Sequence, residues 1–223
     1  MTSSNQNPVH FERELKLNLE NESNYHKILT FWGYTCKETH QLNVFYDTGN
    51  SLLKKRKLAL RIRKENSKYT LTAKGANLSH DEYVTRPEIE CFLPRATAEA
   101  IFEKKKNISE LDEKPVRWIR KQLNNRLPFL IEVIRFENLR QEMKVPLENQ
   151  MILFHLDKTS YSDDVTDYEL EIEFPAKDSY ASSKLFIEKI LKKASIPWKT
   201  SVLSKYERGL QIQERTEKPI THL

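Results

Sequence analysis

The chain of 223 residues is long enough for one large β-rich domain with a buried core. Its 37 Lys and Arg against 32 Asp and Glu leave a net charge of only +5, although 31% of residues are charged, and that balance argues against a dedicated nucleic-acid binder. Four glycines, forming neither a Walker pattern nor GxGxxG, exclude a glycine-rich phosphate loop, and no apolar run approaches a membrane span.

Residues 1–9 read as a flexible start without the apolar centre of a signal peptide. Cys36 and Cys91 have no metal-ligand spacing and read as reduced core thiols, so a cytoplasmic protein is expected. The first predicted strand, 10–19, places Glu12, Glu14 and Lys16 at alternate positions on one face. A helix over 22–32 follows, with Asn21 as its cap, then a strand ending near Tyr46 and a turn at 47–50. The run Lys54–Lys57 reads as a solvated turn. Residues 58–65 and 68–74 form a hairpin over Asn66-Ser67, and 82–93 is a further strand. The segment 97–127 is predicted as two helices broken near Pro115, with a solvated basic face at Arg117, Arg120, Lys121 and Arg126. Strands resume over 129–147, 151–160 and 167–174. A helix at 179–194, a break at Pro197-Trp198 and a short helix at 201–210 ended by Gly209 complete the domain, leaving 211–223 as a polar tail.

Charge recurs at period two: Glu12/Glu14/Lys16, Arg61/Arg63, Arg86/Glu88/Glu90 and Glu169/Glu171/Glu173. A half-exposed sheet also alternates polar with apolar residues. Here, however, carboxylates gather on some strands and arginines on others, which favours a barrel with a charged interior and apolar outer faces covered by helices. Unpaired charges in such an interior are costly, so water, a metal and a ligand are expected to share it. Clustered carboxylates suit a hard cation such as Mg²⁺ or Mn²⁺, while arginine and lysine suit phosphate oxygens. His10, His26, His40, His80, His155 and His222 show no ligand spacing and read as surface or packing residues. Trp32, Trp118 and Trp198 read as helix anchors, and Arg135, five residues before Arg140, points to the opposite face.

The order of these motifs resembles the CYTH family, the triphosphate tunnel metalloenzymes. Glu12-Arg-Glu14-Leu-Lys16 is similar to its ExExK signature, Phe45-Tyr-Asp-Thr48 to its aromatic-aspartate turn, Leu60-Arg-Ile-Arg63 to LRxR and Leu71-Thr-Ala-Lys74-Gly to LTxKG. Arg86-Pro-Glu88-Ile-Glu90 resembles RxExE, and Phe136–Arg140, Leu156-Asp157, Tyr168–Glu173 and Ser204-Lys205-Tyr206 resemble later landmarks. The resemblance spans roughly 10–210. It implies an α+β fold: a single domain built on an eight-stranded antiparallel β-barrel tunnel, with helices packed outside and a C-terminal plug helix.

By the same resemblance Lys16, Arg61, Arg63, Lys74, Arg140 and Lys205 hold a triphosphate, while Glu12, Glu14, Glu171 and Glu173 hold Mg²⁺ or Mn²⁺. Glu169 is in phase with the last two, so the pair Glu169/Glu171 stays open. Glu88, Glu90 and Asp157 are read as supports that orient the basic residues or a second metal's waters, or as structural salt-bridge partners, and Lys205, Glu12 and Glu14 are the expected catalytic set. The implied activity is metal-dependent hydrolysis of the terminal phosphoanhydride of inorganic triphosphate. Thiamine triphosphatase, class IV adenylate cyclase and a non-catalytic polyphosphate-binding module are the alternatives. The expected partner is a small triphosphate, with neither nucleic acid nor membrane, and the expected assembly is a monomer or homodimer.

Overall fold

A computed structural model of the protein describes residues 10–32, 36–79, 82–147, 149–162, 165–175, 179–201 and 203–216. His80, His222, residues 1–9 and 217–223 therefore lie outside the described residues. In chain order the elements begin with β1 (His10–Asn18), α1 (Glu22–Phe31), β2 (Lys37–Asp47), α2 (Leu52–Lys55), β3 (Ala59–Glu65), β4 (Lys68–Lys74) and β5 (Val84–Leu93). Next come α3 (Arg95–Phe102), α4 (Lys114–Gln122), β6 (Ile131–Leu147), β7 (Gln150–Ser162), β8 (Val165–Glu173), α5 (Ser179–Lys193), β9 (Lys199–Thr200) and α6 (Lys205–Thr216).

The strands pair antiparallel in the order β5-β4-β3-β2-β6-β7-β8-β1, and β1 pairs again with β5. This closes an eight-stranded antiparallel barrel and leaves none of the eight an unpaired sheet edge. The two-residue β9 adds to the end of β1, with Leu17 opposite Thr200. Alternation then decides what faces inward. On β1, Leu15 and Leu17 are buried outward, with Tyr25 and Ile28 of α1 and Ile187 and Leu191 of α5 in the same apolar cluster. On β3 and β4, Leu60, Ile62 and Leu71 join Ala98 of α3 and Val116 and Ile119 of α4. The apolar core is thus a shell around the barrel, and Glu12, Glu14 and Lys16 take the inner face.

Several local expectations differ from the structure. Pro115 does not break a helix but opens α4 at its first turn, where a missing N–H costs no hydrogen bond. The interruption lies instead at 103–113, which includes a short 3-10 turn, Ile108–Glu110. Lys54 and Lys55 sit on the four-residue α2, not a bare turn. That helix starts where Asp47 Oδ1 accepts from the backbone N–H of Thr48 at 2.7 Å and of Leu53 at 2.8 Å, and Oδ2 from that of Lys54 at 3.0 Å. Gly209 does not end the last helix: α6 runs on to Thr216, so residues 211–216 are helical rather than a tail. A Cβ at Gly209 would lie 2.4 Å from Ile134 Cδ1 and 3.0 Å from the Tyr161 ring, so glycine here lets α6 approach β6 and β7 closely. Cys36 and Cys91 are half-buried rather than core residues. Among the described residues no helix is long and apolar enough to cross a membrane.

Candidate active site in the barrel interior

The barrel encloses a cavity of about 710 Å³ lined by residues of all eight strands, most of them charged or amide side chains, and by residues of α6. One end is filled by α6. Tyr206 stacks on Phe45 with ring centroids 4.7 Å apart, and Phe45 stacks in turn on Phe136 at 5.6 Å. The other end is open, and the inward face of β7 brings Met151 and Leu153 to it. Met151 is 56% exposed.

Register sorts the three in-phase glutamates of β8. Glu173 lies opposite Glu14, Glu171 opposite Lys16, and Glu169 opposite Asn18. Glu12, Glu14 and Glu173 accordingly offer carboxylate oxygens that lie within 4.8 Å of one another. A second trio, Asp157, Glu169 and Glu171, meets the same limit deeper in the barrel. That trio already surrounds a cation: Lys205 Nζ is 2.9 Å from Asp157 Oδ2, 2.5 Å from Glu169 Oε1 and 2.8 Å from Glu171 Oε1.

The first trio fits a hard divalent ion on its donor chemistry alone, being three carboxylates with hydrated space beside them. Its electrostatics point the same way. Burial raises the Glu14 pKa, and the charges of Glu12 and Glu171 add to that rise against the pull of Lys16 and Arg86. Glu14, 1% exposed, is thus disfavoured as a carboxylate chiefly by its burial. Burial also works against ionisation of Glu12, but Lys74, Arg86 and Lys16 outweigh it and hold Glu12 well below the usual carboxylate range. Lys74 Nζ donates to Glu12 Oε1 at 2.7 Å and lies 3.3 Å from Glu88. Arg86 donates from Nε to Glu12 at 2.7 Å and from Nη2 to Glu14 at 3.0 Å.

The remaining cations divide into two groups. Lys16 Nζ lies 2.5 Å from Glu171 and 2.7 Å from Glu14. Arg140 grips Asp157 with Nε at 2.8 Å and Nη2 at 2.6 Å, and Nη2 also reaches Glu171 at 2.5 Å. Against burial, which opposes charge, these carboxylates raise the pKa of Lys16 and of Arg140 and hold both cations firmly protonated. Arg61 instead has Thr72 Oγ1 at 3.3 Å as its hydrogen-bond partner and lies over the Phe45 ring at 5.9 Å. Arg63 donates to Asn43 Oδ1 at 3.1 Å, with Glu65 3.6 Å away. Burial, then the charge of Arg63, pushes the Arg61 pKa down to about 9. A guanidinium does not give up its proton at neutral pH, so this downward pressure marks a buried positive charge that lacks an anion.

Every residue of the expected substrate and metal sets lines this cavity except Glu169, which lies with the expected support Asp157 beneath Lys205. Glu90 is exposed at the cavity lining and forms no ion pair among the described residues, and its charge acts on Arg61 from a distance. Arg135 points outward as expected and pairs with Glu132. Trp32, Trp118 and Trp198 pack in the outer shell. Two site residues went unassigned although the sequence held a signal. Arg86 shares the phase of Glu88 and Glu90, and Arg208, three residues after Lys205, pairs with Asp167 at 2.6 Å and Glu169 at 2.9 Å. His155 corrects the view of the histidines as surface or packing residues. It is 4% exposed and faces inward in phase with Asp157, whereas His10, His26 and His40 are exposed.

No curated protein sequence matches the chain. Among solved structures, a proposed adenylyl cyclase from Hippeastrum with a dominant triphosphatase activity superposes with TM-score 0.78 at 22% identity, covering 91% of this chain and 96% of that one. A proposed adenylate cyclase from Bacillus halodurans gives 0.67 at 21% identity, with coverages of 89% and 97%. A Pyrococcus horikoshii protein gives 0.54 at 21% identity, with 92% and 99%. These likenesses are of fold. The CYTH domain model matches residues 10–202, which take in the whole barrel, and the chain belongs to the CYTH domain family.

Proposed function

We propose that the protein is a divalent-metal-dependent triphosphatase that hydrolyses the terminal phosphoanhydride bond of inorganic triphosphate. The observation that carries this reading is the presence in one cavity of two under-compensated arginines, Arg61 and Arg63, and a three-carboxylate cluster whose buried member Glu14 is disfavoured as a carboxylate. A linear polyanion and a hard cation satisfy both at once. Membership in the CYTH family and the triphosphatase activity of the Hippeastrum relative support it.

Glu12, Glu14 and Glu173 would hold Mg²⁺ or Mn²⁺, which when bound supplies Lewis acidity and neutralises phosphoryl charge. Arg61 and Arg63 align the phosphate chain along β3, with the guanidinium of Arg61 held flat by Phe45 and Thr72. Lys16 and Lys74, occupied by carboxylates when the tunnel is empty of phosphate, redistribute toward phosphate oxygens once those carboxylates have another cation. Arg140 stays anchored on Asp157 and presents its remaining edge, Nη1, to the tunnel. Phosphoryl transfer asks mainly for alignment and charge compensation, and these residues provide both.

A second reading, hydrolysis of an organic triphosphate such as thiamine triphosphate, is favoured by one observation. Met151 and Leu153 give the open end an apolar lip that a bare phosphate chain does not use. Phosphate release from tripolyphosphate, thiamine triphosphate and ATP, with cyclic AMP measured in parallel, separates the readings. Preference for tripolyphosphate with absolute dependence on Mg²⁺ or Mn²⁺ is expected. Glu12→Gln and Lys205→Ala should each abolish phosphate release with the far-UV circular dichroism retained; activity surviving in both sinks the assignment.

A further inference from the structure

We propose that His155 is a positioning residue whose ring links the Glu173 carboxylate at the cation site to the Arg140 guanidinium at the phosphate site. The inference rests on the metal-dependent reading above. His155 lies directly opposite Glu142 on β6 and Glu171 on β8, at the centre of the acidic wall. Its Nδ1 is 3.0 Å from Arg140 Nη1, a donor, and 3.3 Å from Glu173 Oε1, an acceptor. One nitrogen serves only one of them at a time. In the tautomer with the proton on Nε2, Nδ1 accepts from Arg140; in the other neutral tautomer, Nδ1–H donates to Glu173. Nε2 faces Glu142 Oε2 at 3.6 Å, too far for a hydrogen bond, so the Nδ1 edge does the positioning.

Arg140 has its other nitrogens committed: Nε and Nη2 to Asp157, and Nη2 to Glu171 as well. Nη1 is the edge left for a phosphate oxygen. When Nη1 turns to phosphate, the ring loses its Nε2 proton to solvent and takes one from solvent at Nδ1, and Nδ1–H then donates to Glu173. A carboxylate oriented by an outer hydrogen bond is a better metal ligand, so filling the phosphate site strengthens the cation site through one ring. Glu173 is also 35% exposed, the least enclosed of its trio, and has the most to gain from a fixed partner.

The test is Mn²⁺ binding to the full-length protein in saturating sulfate, which engages Arg140 as a phosphoryl oxygen would but is not turned over, followed by electron paramagnetic resonance, in the native chain and in His155→Leu, His155→Asn and His155→Gln. The Asn amide reaches the Nδ1 position and the Gln amide the Nε2 position. His155→Leu and His155→Gln should weaken Mn²⁺ binding by about tenfold or more, and His155→Asn by no more than about threefold. The KM for tripolyphosphate should rise in the same order. Leucine binding Mn²⁺ like the native chain, or asparagine as weak as leucine with both folded, overturns the proposal. If the leucine variant does not fold, the Asn and Gln variants decide it, and equal affinities overturn it. A native chain that binds no Mn²⁺ overturns the metal reading itself, a result distinct from a native chain that binds and a leucine variant that binds equally.

Discussion

The wall of the tunnel formed by β1, β6, β7, β8 and α6 and the wall formed by β3 carry cations in opposite electrostatic states. On the first, Lys16, Arg140 and Lys205 each touch two or more carboxylates, and in each case those partners overcome burial and raise the cation's pKa. On the second, burial and neighbouring positive charge push Arg61 and Arg63 down, and their hydrogen-bond partners are a hydroxyl and an amide, with the one carboxylate, Glu65, 3.6 Å from Arg63. The acidic wall is therefore an internally neutralised lattice that holds the closed end together. The β3 wall is held by the apolar shell behind it and keeps its charge for a ligand.

Breaking the lattice has the largest expected effect. Asp157, fully buried, accepts from Arg140 and contacts Lys205, so it joins the barrel to α6. Asp157→Asn should destabilise the protein by roughly 3–5 kcal/mol in urea unfolding, because two buried cations lose their counter-charge. Burial alone would raise its pKa, but Arg140 and Lys205 reverse that and hold it below the ordinary carboxylate range. A depressed native pKa gives stability that is present above the unfolded value and lost as pH falls through the native one. The native chain should thus lose stability in that acid window while Asp157→Asn loses less there.

Arg61→Ala should do the reverse. It should lower kcat/KM for the triphosphate by roughly 10²–10³, the usual cost of one preorganised charge contact, while the melting temperature holds or rises. A fall in both would place Arg61 within the scaffold and erase the contrast between the walls. Arg61 also makes plain why so much of this site was legible beforehand. Inward charges at period two on β1, β3, β5 and β8 mark the lining directly, because a strand has only two faces. What alternation cannot supply is register. Three glutamates on β8 are equivalent in phase, and only the pairing of Glu173 with Glu14 and of Glu171 with Lys16 tells which meets which. No spacing along the sequence marks His155, because its partners Arg140 and Glu173 lie across strands. Gly209 read as a helix end because glycine often is one; its reason here is the close approach of Ile134 and Tyr161, a tertiary contact with no local signature.

Gly209→Ala probes how tightly α6 completes the acidic wall. The added methyl meets the end of Ile134, which can move, and the edge of Tyr161, packed against Phe136. A cost of about 1–3 kcal/mol is expected from overpacking, with Lys205 drawn away from its three carboxylates. Activity should fall more than stability. An α6 that tolerates the methyl without change would mean that the lattice, not the packing, fixes its position.

Glu14→Gln gives the smallest change and the sharpest sign. Burial, Glu12 and Glu171 raise the Glu14 pKa, so the native state binds this proton more tightly than the unfolded chain does. Stability from a raised carboxylate pKa is present below the unfolded value and lost as pH rises through the native one. Removing the charge should then stabilise the metal-free protein near neutral pH by on the order of 1 kcal/mol. Excess Mg²⁺ or Mn²⁺ should reverse the ranking, since a ligand bound only by the native fold adds stability with its concentration and the glutamine variant has lost a carboxylate donor. Crossing of the two melting curves with added metal would identify the Glu14 carboxylate as a group kept for a cation at a cost to the metal-free fold. Parallel curves would make it an ordinary strained acid in the same lattice that Asp157 holds together.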